Sequence, residues 1–132
     1  MLQKYIKKGE NMIKNIQKII YEKNNALSIK ECIELDVEKS KLEYKKNNKK
    51  IKIDNISNEL IIKYLDQLLR TIDGWKKEYI NQNCLDGMIW KLTVIYRNGE
   101  KIEYIGKNEF PYNFEHLEKI EYQLINKIME KK

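Results

Sequence analysis

The stretch WKLTVIYRNGEKIEYIGKNEFPYNF, residues 90–114, decides the fold. Its Asn98-Gly99 pair marks a hairpin between two apolar-rich runs, and two registers are open to it. A two-residue Asn98-Gly99 turn sets Trp90, Leu92, Val94 and Tyr96 against Lys107, Ile105, Glu103 and Lys101. A three-residue Arg97-Asn98-Gly99 loop, with Gly99 in the left-handed region, moves the partner strand by one residue. Leu92 then meets Tyr104, Val94 meets Ile102, and Trp90 lies over Gly106. A one-residue slip turns every side chain to the other face, so the register with the continuous apolar face is the one expected. Gly106 becomes room for the indole. The stretch reads as scaffold, with Trp90 and Tyr96 on the buried side.

Beyond the hairpin, Phe110-Pro111 breaks the chain and Asn113 stands where it can cap a helix. Phe114, Leu117, Ile120, Leu124 and Ile128 give that helix one apolar stripe. An earlier helix begins at Ser57, with Ile56 and Ile61 placed as a hydrophobic staple. Ile61, Leu65, Leu68 and Ile72 form its stripe, and Gly74 stops it.

The first half alternates with the period of strands. KLEYKKNNKKIKID, residues 41–54, turns at Asn47-Asn48, pairing Tyr44 with Ile51, Leu42 with Ile53, Glu43 with Lys52 and Lys41 with Asp54. Upstream, Ile29, Ile33, Leu35 and Val37 share a face. A turn at Lys39-Ser40 would pair Val37 with Leu42 and Leu35 with Tyr44, leaving Asp36 opposite Glu43. Asn24-Asn25 suggests one more hairpin, pairing Ile20 with Ile29. The expected fold is α+β: an antiparallel meander of about four strands, a helix, a hairpin and a C-terminal helix, with both helices on one sheet face. Residues 12–132 are expected to form one such domain. Residues 1–11 are expected to be an extension, because codons AAA GGA GAA AAT ATG for Lys8–Met12 would form a ribosome-binding site before a start at Met12. Leu2, Tyr5, Ile6, Met12, Ile13, Ile16 and Ile20 also fit helical spacing, so this end has two readings.

The formal charge is +6, of which +2 sits in residues 1–11 and +2 on Lys131 and Lys132, leaving +2 for the remainder. There are 24 Lys and only 2 Arg, and Ile, Lys and Asn make 59 of 132 residues. These residues have AT-rich codons, so a low-GC bacterial or phage gene accounts for much of the lysine. A dedicated nucleic-acid binder clusters its basic residues and includes Arg. Apolar runs are far shorter than a membrane span needs, and no signal segment is read, so a cytoplasmic protein is expected. Cys32 and Cys84 are widely separated and are expected to be free thiols.

The segments DGMIWKLTVIYRNG (86–99) and GKNEFP (106–111), with the helix after them, resemble a group of small bacterial proteins without an assigned activity. In that group a strand, a hairpin, a G-x-N-x-x-P turn and a helix recur in this order. The resemblance covers roughly residues 73–120 and implies fold alone.

Few residues suggest chemistry. A Cys84–His116 pair oriented by Asp86 would be the nucleophilic arrangement. One His and two distant Cys offer no metal-ligand spacing, no phosphate loop is present, and no cofactor is expected. Glu100, Glu103 and Glu109 read as a solvated face. The lysine-rich hairpin tip, with Lys45, Lys46, Lys49, Lys50 and Lys52, is the one candidate contact surface. Lys45 falls opposite Lys50, an unfavourable pair unless an anion or a partner's acidic patch joins them. The expected function is a non-catalytic binding module with a protein partner, of the inhibitor or immunity type. The alternative is weak, non-specific nucleic-acid binding through residues 45–52.

Overall fold

Seven strands form one sheet in the order β4-β3-β2-β1-β6-β7-β5. In chain order they are β1 (Ile16–Asn25), β2 (Lys30–Asp36), β3 (Lys41–Lys46), β4 (Lys49–Ile53), β5 (Glu78–Ile80), β6 (Met88–Tyr96) and β7 (Lys101–Lys107). Helix α1 (Asn58–Ile72) lies between β4 and β5, and α2 (Phe114–Glu130) follows β7. The computed structural model describes residues 13–25, 30–81 and 87–130. The upstream-start reading of residues 1–11 lies outside them, as do Cys84 and Asp86 of the Cys84–His116 arrangement.

The deciding hairpin has the expected register: Trp90 pairs with Gly106, Leu92 with Tyr104 and Val94 with Ile102. Tyr96 and Glu100 close the three-residue loop, and Gly99 has φ +92°. A Cβ on Gly106 would stand 1.8 Å from Trp90 Nε1, so the strand must carry glycine there. The β3–β4 hairpin is also as expected, with Leu42 opposite Ile53, Tyr44 opposite Ile51 and Lys45 opposite Lys50.

Three expectations are corrected. First, β1 does not turn at Asn24-Asn25; it runs through Asn25, and Ile20 pairs with Glu34. Ile29 lies outside the described residues, and Ile16 and Ile20 belong to a strand. Second, β2 and β3 pair two residues away from the expected register, with Leu35 opposite Leu42 and Ile33 opposite Tyr44. Asp36 Oδ1 accepts from the Lys39 amide at 3.0 Å and Ser40 takes φ +53°, so the turn holds four residues, not two. A shift of two keeps every side chain on its face and places Asp36 opposite Lys41; it exchanges Asp36–Glu43 for Glu34 opposite Glu43, whose charges Lys18, Lys45 and Lys50 offset. Third, a seventh strand, β5, pairs in parallel with β7, so the sheet is mixed. Three residues are too few for alternation to mark a strand.

Both helices cover one face. Ser57 Oγ accepts from the Leu60 amide, and α1 buries Ile61, Tyr64, Leu65, Leu68 and Ile72. Helix α2 buries Phe114, Leu117, Ile120, Leu124, Ile125 and Ile128. They close over Ile19, Tyr21, Ile33, Leu35, Leu42, Trp90, Leu92 and Val94 of the sheet. Trp90 is fully buried, with ring centroids of Phe114 at 4.9 Å and Trp75 at 5.8 Å. Asn113 departs from its expected capping role. Its side-chain oxygen accepts from Trp75 Nε1 at 2.7 Å and its amide donates to Thr71 O at 2.8 Å, tying the start of α2 to the end of α1.

A polar network pins α2 to the meander. Lys23 Nζ donates to Glu118 at 2.5 Å and to the Tyr122 hydroxyl at 2.6 Å, and pairs with Glu31 at 3.2 Å. Glu31 also accepts from the hydroxyls of Tyr44 and Tyr122. Burial opposes the Glu31 charge, but these donors and the lysine outweigh it and hold its pKa below the usual range. Lys23→Met leaves a buried carboxylate with only two phenol donors, and should cost about 2–4 kcal/mol at neutral pH. A depressed carboxylate stabilises above its unfolded pKa and loses that contribution as pH falls. The deficit of Lys23→Met should therefore shrink in urea melts in acid; an equal deficit in acid would show that charge pairing is not its cause.

Candidate interaction face

Strand alternation that sends Trp90, Leu92 and Val94 under the helices sends their neighbours to the opposite face, which neither α1 nor α2 covers. Registers fix the layout of that open face. One cross-strand row reads Lys50, Lys45, Cys32, Glu22, Lys91, Ile105 and Glu78 from β4 to β5. The next reads Lys52, Glu43, Glu34, Ile20, Thr93 and Glu103. Ion pairs lace the surface: Lys18–Glu34 at 3.6 Å, Lys91–Glu103 at 3.3 Å and Lys101–Glu103 at 2.7 Å. The expectation that Glu103 belongs to a solvated, lysine-paired face holds.

The lysine tip divides between the two faces. Lys45, Lys50 and Lys52 share the open face with Glu43, whereas Lys46 and Lys49 alternate to the helix-covered side. Glu43 pairs with Lys50 at 2.9 Å and Lys45 at 3.3 Å, and the hydrogen bond from Lys50 leads in holding its pKa low. The Lys45–Lys50 repulsion read from the sequence is thus relieved within the chain.

Apolar side chains also stand on this face. Ile89 is 45% exposed and Ile80 44%; they flank Lys107 in one cross-strand row, and half-buried Ile105 lies diagonal to both in the next. Beside them a depression of about 460 Å³ is lined by Lys30, Lys45, Lys91, Glu22, Cys32, Ile89 and Ile105, among others. In all, four lysines (Lys23, Lys30, Lys45 and Lys91) and two carboxylates (Glu22 and Glu31) line the depression and give it a positive balance. Cys32, half-buried in it, has its thiol pushed up to about 11 by burial and by Glu22 and Glu34. It is protonated at neutral pH and a poor nucleophile.

No protein-family model, curated protein or solved structure matches this chain. Function is therefore read from geometry and chemistry alone. Among the described residues no cluster of three or more His, Cys, Asp or Glu gathers as metal ligands, and no helix is long and apolar enough to cross a membrane. His116 sits between the two helices, on the side of the sheet away from the open face. The isoleucine patch was missed in the sequence, though it carried a signal. Ile20, Ile89, Ile95 and Ile105 occupy the parity that the chosen registers assign to solvent, and apolar residues repeated at polar positions mark a contact surface.

Proposed function

We propose that this chain is a non-catalytic binding module that docks an acidic protein partner on the open face of its sheet. The observation that carries the reading is the isoleucine group of exposed Ile80 and Ile89 and half-buried Ile105, beside a lysine-lined depression on the sheet face away from α1 and α2. Seven strands at about 4.8 Å spacing span roughly 29 Å, and six residues at about 3.3 Å run roughly 20 Å. That projected area of about 600 Å², enlarged by side-chain relief, approaches the ~800 Å² each partner gives to a standard interface. Apolar anchors ringed by paired charges are the usual anatomy of such a surface. Inhibitor and immunity-type proteins act in this way, which fits a small module without a catalytic motif.

The arrangement favours protein over nucleic acid. A phosphate track through the tip would have to engage lysines on both faces, and two of the three on the open face already share Glu43. Three phosphate contacts would give a log–log salt slope of only about −2 to −3.

Affinity capture from the native host separates the two readings. A defined protein should be retained by the wild type and by a variant in which Lys46 and Lys49, the tip lysines that lie off the open face, are neutralised to Gln. It should be lost by Ile89→Asp combined with Lys91→Glu, with unchanged circular dichroism. Retention of that protein by the Ile89/Lys91 variant would sink the proposed face. RNA or DNA co-purifying in a manner abolished by the lysine changes would install the alternative.

A further inference from the structure

On the opposite side of the molecule the two helices leave a groove of about 590 Å³, within the size range of small-ligand sites. It is built at the end where α1 finishes and α2 begins. Helix α1 contributes Gln67 and Arg70, and α2 contributes His116, Lys119 and Gln123 at one-face spacing. The groove gathers the chain's only histidine and one of its two arginines, and among the described residues no carboxylate lines it. In a protein with 20 acidic residues, a basic lining free of acid is a directional feature. Arg70 does pair with Asp66 through Nε at 3.3 Å, but both side chains are exposed, and a phosphate would compete well with such a pair.

A second observation points to the other half of a ligand. Tyr112, at the rim, is 94% exposed, whereas Phe110 and the exposed isoleucines and methionine lie between 41% and 45%. The ring is not held out by a loose loop. The Phe114 amide donates to Pro111 O at 3.1 Å, and Asn113 is fixed by Trp75 on one side and Thr71 O on the other. An aromatic face kept bare by a pinned backbone next to convergent cations is a stacking platform beside an anion site.

We propose that this groove binds a nucleotide-class ligand: its planar base stacks on Tyr112, its phosphate is met by Arg70 and Lys119, and Gln67, His116 and Gln123 offer hydrogen bonds. The site is independent of the sheet face, which lies across the core. It can be tested by titrating the full chain with adenosine monophosphate, followed by calorimetry and by amide chemical shifts.

Adenosine monophosphate should bind and shift amides of residues 112–123, and both adenosine and inorganic phosphate should bind more weakly. Tyr112→Ala should weaken the nucleotide about tenfold. Arg70→Gln and Lys119→Gln should each weaken it and flatten its dependence on salt. All three side chains project to solvent, so circular dichroism should stay at wild type. Absence of binding at millimolar nucleotide, shifts confined to the sheet face, or equal affinity for phosphate alone would each overturn the proposal.

Discussion

Trp90→Ala is expected to lower stability by about 3–5 kcal/mol, the cost of emptying a fully buried aromatic site. The indole fills the space between β7 and the start of α2, touching Phe114, Trp75 and Tyr79, and its Nε1 donates to Glu109 O at 3.0 Å. Deletion therefore opens a cavity and leaves a carbonyl without its donor. For a chain of this size the melting temperature should fall by about 10 °C or more. The complementary change is Gly106→Ala. Its new Cβ would sit 1.8 Å from Trp90 Nε1 and 2.1 Å from Cε2, and the ring cannot retreat because three aromatic neighbours back it. Alone, Gly106→Ala should be about as damaging as Trp90→Ala. In the Trp90→Ala background it should be nearly neutral, since the clash is gone and alanine suits a strand better than glycine. Additive losses in the double variant, measured by urea melts, would show that the two residues do not meet.

That pair also shows why part of this fold could be read from sequence. Registers were legible wherever apolar and turn residues constrained the same pairing: the Gly99 loop, the Trp90–Gly106 match and the Asn47-Asn48 hairpin. They were not legible where parity alone spoke. Shifting β2 against β3 by two residues keeps Ile33 and Leu35 inward, so only the Asp36–Lys39 hydrogen bond and the Ser40 backbone decide it. A strand of three residues, β5, leaves no period at all. The candidate face suffered a different loss. Ile89 looked like one more strand former until the sheet order placed it near Ile105 and Ile80, which are brought together across β6, β7 and β5. Glu121 was hidden for a similar reason. It follows Ile120 on a helix rich in glutamate, and nothing local separates it from solvated Glu115 or half-exposed Glu118.

Glu121 should make the protein lose stability as pH rises, against the usual behaviour of carboxylates. It is fully buried among α1, α2 and the sheet, where Oε1 accepts from the Tyr64 hydroxyl at 2.5 Å. Its Oε2 and the hydroxyl of Tyr21 are buried without a hydrogen-bond partner among the described residues. Burial pushes the Glu121 pKa from 4.5 up to about 8, with the Tyr64 hydrogen bond opposing only part of the rise. The nearby groups give the carboxylate no cation: Tyr64 and Tyr21 are held protonated, chiefly by burial and then by the carboxylates around them, including Glu121 itself. The folded state thus keeps a proton that the unfolded chain releases near pH 4.5. Its contribution is complete below that pH, declines by about 1.4 kcal/mol per unit as pH rises, and levels off above about 8. Across this window the loss is roughly 4–5 kcal/mol, a large share of the about 5–15 kcal/mol that holds a domain folded. Glu31, Glu43 and Glu103 have depressed pKa values and act in the opposite sense, but only as pH falls into the acid range. Glu121→Gln isolates the effect, because the amide oxygen can still accept from Tyr64 while the titration disappears. Near pH 5 the variant should match the wild type or fall about 1–2 kcal/mol below it, from the unpaired amide donor. By pH 8.5 it should be the more stable protein by about 2–4 kcal/mol, as the wild type alone has been forced to ionise in its core. Urea melts at the two pH values measure this directly. A constant difference between variant and wild type would mean that Glu121 ionises alike in the folded and unfolded states, which a carboxyl enclosed by both helices and the sheet cannot do.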